Sequence, residues 1–302
     1  MRTFRPSVAP ALLSRCLVLQ DFVVRRFAGS RLARRANFTL RGELNSRVVR
    51  VPVVAGLGMA TPPIWKQEPW LNAVLARLLA ASTGVFVDVG VNLGQSLLKV
   101  KTLSPAIRYI GFEPNPMCVA YVRHLVALNR FEDVLVAPFG LSDRASAVSL
   151  FARDDDVADS SATVVPGLYS TQASWGQTPV ALLPGDEALA SLQVERVGTM
   201  KIDVEGAELE VVRGLRATIA RDRPSIVCEI LPTYSGSGSD RRRAFRQPRI
   251  DALLDILRTF DYQFFRLTPD GGVVPLRTIE PHSDHSLTNY ALVPAQTASA
   301  LT

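Results

Sequence analysis

Val85–Ser96, VFVDVGVNLGQS, constrains this chain more than any other stretch. Val85, Phe86, Val87 and Val89 form an apolar run broken only by Asp88, and Gly90 and Gly94 punctuate a turn before a helical pattern opens at Ser96 and Leu97. The order reads as buried strand, glycine turn and helix. In an open parallel sheet such a turn lies at the carboxyl end of a strand. There glycine admits close approach of the backbone and a helix N-terminus offers free N–H groups, so a cofactor site is expected.

The turn does not suit a dinucleotide. A pyrophosphate cradle needs G-x-G-x-x-G, whereas this chain has Gly90-x-x-x-Gly94 with Asp88 ahead of the turn and Asn92 inside it. A carboxylate in that position repels a pyrophosphate but pairs with a cationic amino-acid ligand. S-adenosylmethionine carries an ammonium and a sulfonium and fits the charge pattern better. A second strand, Tyr109–Phe112, ends at Glu113-Pro114-Asn115-Pro116, 25 residues after Asp88. That interval is about one βαβ repeat, and an acid there can bind both hydroxyls of a ribose. A third strand, Val134–Pro138, runs into Phe139-Gly140-Leu141-Ser142-Asp143. An adenine would lie at that loop, with Leu141 or Phe139 against its face and Asp143 accepting from its amino group; Ser142 is counted with them, and a simple turn is the alternative.

Thr199–Gly206, TMKIDVEG, is the second informative stretch. Met200, Ile202 and Val204 alternate with Lys201, Asp203 and Glu205, so a strand delivers Asp203 and Glu205 to its end before Gly206 breaks it. Asp203, Glu205 and Glu208 are too many carboxylates for a merely structural strand end, with Lys201 as a candidate partner. One helix is expected over Ala207–Ala220, and the strand Ser225–Ile230 delivers Glu229. Ser235–Ser239 reads as a flexible link followed by arginines from Arg241 to Arg249, a candidate mobile cover for a site. A helix over Ile250–Phe260, a strand over Tyr262–Leu267 and a last strand over Asn289–Val293 close the chain. His282 and His285, two of only three histidines, precede that last strand. Strands alternating with helices and ending in a hairpin make an α/β doubly wound domain.

The formal charge is +6, but the basic residues are concentrated. Eleven arginines fall in the first 50 residues and five between Arg241 and Arg249. Such patches can meet nucleic acid, anionic lipid or a phosphorylated substrate, although a solvated basic tail is the commoner meaning. An amphipathic helix is expected over Pro10–Ala28 and a strand pair over Phe38–Val54, turning near Glu43–Ser46. The arginine-rich start resembles a transit peptide, yet it contains Asp21 and has no clear small-residue cleavage site. Cys16, Cys118 and Cys228 are odd in number and lack C-x-x-C spacing, which argues for a reducing, cytoplasmic compartment and against a disulfide framework or zinc site. No run approaches the roughly 18 apolar residues of a membrane span. Asp154, Asp155, Asp156 and Asp159 lack the alternation of a calcium loop and read as an exposed loop.

VDVGVNLGQS (Val87–Ser96), FEPNP (Phe112–Pro116), MKIDVEGAELEVVRG (Met200–Gly214) and NYALVP (Asn289–Pro294) together resemble the FkbM family of S-adenosylmethionine-dependent methyltransferases. The resemblance covers about residues 47–294. It implies a class I, Rossmann-like, seven-stranded sheet with the last strand antiparallel, and methyl transfer to oxygen on sugars or other polyhydroxylated metabolites. The expected organisation is a basic extension with helical and β elements over residues 1–46, the methyltransferase domain over 47–296 and a tail over 297–302. Carried over by motif, Asp88, Gly90, Asn92 and Gly94 surround the methionine moiety. Glu113 holds the ribose with Asn115 beside it, and Asp203, Glu205 and Glu208 sit beside the transferred methyl or the acceptor. Val91 departs from the family pattern, where small residues are frequent.

Asp203 is the first candidate for general base, with Glu205, Glu229, His282 and His285 as further catalytic candidates. The transfer itself requires no metal, and none is assigned, although Asp203, Glu205 and Glu229 carry oxygen ligands. The expected partner is a small-molecule or glycan hydroxyl acceptor rather than nucleic acid, and homo-oligomerisation stays open. Two competing readings are a nucleic-acid methyltransferase, suggested by the basic balance, and a methyltransferase-like scaffold that binds without turnover.

Overall fold

The structure is a computed structural model that describes residues 37–54, 64–153, 159–169, 171–234 and 239–301. The amphipathic helix expected over Pro10–Ala28, the Asp154–Asp156 run and most of the Ser235–Ser239 link lie outside these residues.

The chain opens with a hairpin of β1 (Phe38–Leu44) and β2 (Arg47–Val53). Asn45 and Ser46 both have positive φ, the backbone that a tight two-residue hairpin turn requires. The domain boundary expected at residues 46 and 47 therefore falls inside a hairpin. The hairpin also packs on the main body, where Tyr121 donates to the Pro52 carbonyl at 2.9 Å and Asn45 pairs with Asn72.

After α1 (Pro69–Ala80), the parallel layer is built from β3 (Val85–Val89), α2 (Gln95–Leu103), β4 (Tyr109–Phe112), α3 (Pro116–Asn129) and β5 (Val134–Ala137). Strands β3 and β4 are buried along their whole length, which is why they read as apolar runs rather than alternating ones. A small mixed sheet follows, of β6 (Gly140–Ser142), β7 (Ser146–Ala152) and β8 (Gly176–Pro184) in the order β6-β8-β7. Of these, only β7 has a clear strand signature in sequence; β6 is three residues long, and β8 is interrupted and ended by prolines.

The chain re-enters the large sheet through α4 (Gly185–Ser191) and β9 (Val197–Ile202). The single helix expected over Ala207–Ala220 is two, α5 (Glu208–Gly214) and α6 (Arg216–Asp222). At the break, Gly214 lies so close to β6 that a Cβ there would stand 1.8 Å from the Ser142 carbonyl oxygen. Strand β10 (Ser225–Glu229) precedes α7 (Ser239–Arg258), a 20-residue helix that includes the arginine run and Pro248. The arginines are thus helical rather than part of a loop. Arg249 forks onto Glu210 and Arg246 reaches the carbonyls of Pro232 and Leu168, contacts that outweigh the N–H missing at Pro248.

Strands β11 (Tyr262–Leu267), β12 (Val273–Leu276) and β13 (Asn289–Pro294) complete a sheet of order β12-β11-β13-β10-β9-β3-β4-β5. Seven of these form the expected doubly wound sheet, and β13 runs antiparallel to both β10 and β11. β12 adds an eighth strand at the edge. Helices α1 to α3 and the hairpin cover one face, and α4 to α7 cover the other. Beyond β13 the expected tail is packed: Leu301 is fully buried and its carbonyl accepts from Arg77. Among the described residues, no helix is long and apolar enough to cross a membrane.

Candidate active site

Strands β3 and β9 are parallel neighbours from which the chain winds outward in opposite directions. Ligands bind at the carboxyl ends of such a switch point. A cavity of about 440 Å³ opens there, within the size range of cofactor sites. Backbone hydrogen bonds lace its rim: Gly90 N to Phe112 O at 2.9 Å, Asp203 N to Val89 O at 2.9 Å and Glu113 N to Ala137 O at 3.1 Å.

Gly90 has φ +89, and a Cβ on it would lie 1.9 Å from the Asp203 carbonyl oxygen. Glycine is therefore required for the first turn and the end of β9 to meet. Asn92 follows in the left-handed region, φ 48, and its side chain accepts from Leu93 N at 2.7 Å. Both residues line the cavity, while Gly94 starts α2 behind it, packed on Leu125. Val91, the departure from the family pattern, fills the space left by Gly111, where a Cβ would stand 2.5 Å from a Val91 methyl.

Asp88 does not line the cavity. It is fully buried one residue behind the rim, hydrogen-bonded to the Tyr109 hydroxyl, with Oδ1 making no hydrogen bond. Burial raises its pKa to about 6 against the opposing charge of Lys201.

Glu113 stands where its spacing predicts, at the end of β4 on the cavity wall. Its Oε2 accepts from Asn92 N and its Oε1 from Asn115 N, each at 2.8 Å. Each oxygen keeps a lone pair, so the carboxylate can still accept from a pair of vicinal hydroxyls. Burial raises its pKa to about 7, opposed by the two backbone donors. Asn115 lines the same wall and caps α3 by accepting from Met117 N at 3.0 Å. Farther along, Gly140 and Leu141 line the cavity on the expected adenine side, whereas Phe139, outside the lining, packs against Phe112 with the rings tilted by 49°. Ser142 and Asp143 do not line it either. Ser142 ends β6 and Asp143 follows it, with Asp143 Oδ1 buried without a hydrogen bond.

The other end of the cavity carries Asp203, Glu205 and Glu229. Lys201 donates to Asp203 Oδ2 at 2.6 Å; burial disfavours the ammonium, but Asp203 and Asp88 hold its pKa above the ordinary value. Glu205, at φ 50, accepts from the Tyr169 hydroxyl at 2.6 Å, and its carbonyl accepts from Thr163 at 2.7 Å. Burial and then the charge of Asp203 push Glu205 well above the usual carboxylate range and Glu229 up to about 8. Glu229 also accepts from the Thr288 hydroxyl at 3.0 Å. Glu208 lies behind this cluster, buried and accepting from Gly206 N.

Neither histidine candidate reaches the cavity lining. His282 Nε2 is 3.0 Å from the Tyr290 hydroxyl, and burial followed by the Arg266 charge lowers its pKa. His285 is exposed in a short 3-10 turn.

Several lining residues carry no motif that reveals them in sequence. Gln67 and Glu68 come from the segment before α1, and Asp159, Ser160, Ala162 and Val164 from the chain between β7 and β8. Asp159, expected in an exposed loop, is buried and accepts from Arg153 N and Nε, each at 3.0 Å. Asp159 and Ser160 close the Asp-rich run, and an isolated acid that finds a guanidinium partner only after folding gives no periodic signal.

The donor set fits S-adenosylmethionine. Among the described residues, six carboxyl groups (Glu68, Glu113, Asp159, Asp203, Glu205 and Glu229) line the cavity with one ammonium, Lys201, which Asp203 engages, while Lys99 and Arg153 pair with Glu68 and Asp159. A cationic ligand offsets that imbalance and a polyphosphate worsens it. The arrangement sets the Glu113 carboxyl and the cluster around Asp203 on the lining of one cavity.

Residues 88–264, more than half of the 302-residue chain, match the sequence profile described as the Methyltransferase FkbM domain. The chain is 28% identical over 246 residues to the AMB antimetabolite synthetase AmbE of Pseudomonas aeruginosa, covering 70% of this chain and 11% of AmbE. It is 28% identical over 200 residues to the methyltransferase SdnD of Sordaria araneosa, covering 58% of this chain and 73% of SdnD. With the 2-O-methyltransferase NoeI of Sinorhizobium fredii it shares 25% over 197 residues, 62% of this chain and 76% of NoeI. The chain thus spans only 11% of AmbE's length. The profile match begins at Asp88 and ends at Phe264, so it takes in the carboxyl ends of β3, β4, β9 and β10 that form the cavity. The chain belongs to the FkbM family of S-adenosylmethionine-dependent methyltransferases.

Proposed function

We propose that the chain methylates a hydroxyl oxygen of a sugar, glycan or other polyhydroxylated metabolite, with Asp203 accepting the proton. The observation that carries this reading is the grouping of Asp203, Glu205 and Glu229 at one end of the cavity. S-adenosylmethionine, when bound, supplies a methyl carbon activated by its sulfonium. Glu113, with Asn115 beside it, holds the ribose of that ligand, and the turn at Gly90 and Asn92 lies beside its methionine moiety.

Three carboxyls grouped at one place suit a molecule rich in hydroxyls. Glu229, pushed up to about 8 by burial, holds a proton near neutral pH and donates to a hydroxyl oxygen, and burial shifts Glu205 in the same direction. Asp203, ion-paired with Lys201, accepts from the hydroxyl that reacts. A phosphodiester would find no free cation among the described residues of this wall, since Lys201 is already engaged by Asp203, which disfavours nucleic acid as acceptor. The name of NoeI, a 2-O-methyltransferase, is in keeping with an oxygen acceptor. A reducing cytoplasmic setting, in which Cys118 and Cys228 stay as buried thiols, belongs to the same reading.

The test is transfer of a labelled methyl group to a panel of monosaccharides, oligosaccharides, glycoconjugates and polyols, with RNA and amines alongside. A methyl ether located by mass spectrometry on a polyhydroxylated acceptor is expected. Label confined to RNA or to an amine would overturn the proposal.

A further inference from the structure

We propose that Glu68, which precedes the family-matched span, is a further cofactor-binding residue that takes the ammonium of the amino-acid end of S-adenosylmethionine. The proposal rests on the assignment of that cofactor to the cavity.

Glu68 occupies the position before α1, immediately ahead of Pro69, with φ 47 and ψ 62. A left-handed backbone is uncommon at a residue other than glycine, asparagine or aspartate, and it persists where the surroundings demand it. A carboxylate before a helix can satisfy itself by accepting from the first free N–H groups. Glu68 makes no such bond. Its side chain instead lines the cavity and is one-third exposed there, with Oε2 3.9 Å from Lys99 Nζ.

Lys99, on α2, is buried, and its Nζ makes no hydrogen bond among the described residues. The pair is therefore an ion pair without a hydrogen bond, which leaves the carboxylate lone pairs of Glu68 facing the cavity free for a donor. The charge of Lys99 behind it fixes the direction in which the carboxylate points.

The position also selects the end of the ligand. Glu68 pairs with Lys99 on α2, the helix that follows the first turn, whereas Glu113 at the end of β4 accepts from Asn92 N and Asn115 N. Glu68 thus belongs to the β3 side, and the ribose carboxylate belongs to β4. A ligand lying across the strand ends with its ribose at Glu113 turns its aminocarboxypropyl arm toward the first turn and Glu68. An alkylammonium is the cation that a single carboxylate with free lone pairs binds through charge-assisted hydrogen bonds.

The experiment is calorimetric titration of the full chain and its Glu68→Gln variant with three ligands. These are S-adenosylmethionine, S-adenosylhomocysteine and 5′-methylthioadenosine, of which the last lacks the aminocarboxypropyl arm. Glu68→Gln is expected to weaken the first two about tenfold or more and to leave the third unchanged. Its melting temperature falls because buried Lys99 loses its charge partner, and unchanged 5′-methylthioadenosine binding shows that the cavity is intact. Lys99→Met, which keeps the carboxylate but removes the charge behind it, is expected to move the same two affinities by a smaller factor and again to spare 5′-methylthioadenosine. Equal losses for all three ligands, or none, would overturn the assignment of Glu68. A loss for S-adenosylmethionine alone would do so as well, because it would assign the carboxylate to the sulfonium. Absence of S-adenosylmethionine binding to the unaltered chain would instead defeat the cofactor assignment on which the proposal stands.

Discussion

Lys201 and Asp203, two residues apart and so on the same side of the chain, meet at the end of β9 with Nζ donating to Oδ2 at 2.6 Å. This pair is the hinge of the acidic end of the cavity. Asp203 raises the pKa values of Glu205 and Glu229, and Lys201 is the cation that opposes its charge. Lys201→Met is expected to lower stability by about 2–3 kcal/mol, less than a fully buried pair would lose because the Asp203 side chain is 25% exposed. Thermal denaturation at pH 7 checks this, and a melting temperature equal to that of the unaltered chain would show that the pair is not needed to hold the cluster.

Asp203→Asn preserves the shape of the side chain and removes the proton acceptor. Turnover with a competent hydroxyl acceptor is expected to fall about 10²–10⁴-fold while S-adenosylmethionine affinity stays within a factor of about three. Calorimetry beside the labelled-methyl assay separates the two quantities, and full turnover in the variant would remove Asp203 as base.

Glu113→Gln exchanges one of two acceptor oxygens for an NH₂ group, which opposes a backbone N–H and loses the charge that holds the ribose. Affinity for S-adenosylmethionine is expected to drop about 30- to 100-fold, or roughly 2–3 kcal/mol. 5′-Methylthioadenosine should lose affinity by a similar factor, since it retains the ribose, and this pattern distinguishes Glu113 from Glu68.

Gly90→Ala places a Cβ against the Asp203 carbonyl oxygen at a φ that side chains rarely adopt. A destabilisation of about 3 kcal/mol or more is expected, together with loss of cofactor binding, because the turn and the end of β9 must move apart. Circular dichroism melting and the same titration report both effects.

The buried carboxyls give stability a definite pH dependence. Burial raises Asp88 to about 6, Glu113 and Glu208 to about 7 and Glu229 to about 8, from ordinary values of 3.8 or 4.5. A carboxyl with a raised folded-state pKa holds its proton more tightly in the native chain than in the unfolded one. Its contribution is complete below pH 4 and is lost as pH rises through the folded-state value. The ligand-free chain is therefore expected to melt several degrees higher at pH 5.5 than at pH 8. S-adenosylmethionine should narrow that difference, because a bound cation favours the ionised carboxyls, and its binding near pH 7 should release protons. Calorimetry in buffers of different ionisation enthalpy measures the release, and proton uptake would contradict it.

The local pattern alone determined the parallel core. Apolar runs at Val85–Val89 and Tyr109–Phe112, the Gly90–Gly94 turn and the Asp88-to-Glu113 interval are short-range signals, each read within one supersecondary unit. They suffice to place Glu113, Asn92 and Asp203 on one cavity, since strand ends in such a sheet face the same way. Tertiary structure decided what depends on contacts between distant segments. It buried Asp88 behind the rim against Tyr109 and left His282 and His285 outside the lining. It also carried α7 through Pro248 on the anchors of Arg246 and Arg249. Glu68 and Asp159 reach the cavity from outside the parallel units, one held toward Lys99 and the other by Arg153. Such partners are chosen by packing, because a charge has no periodicity to announce which opposite charge it will meet.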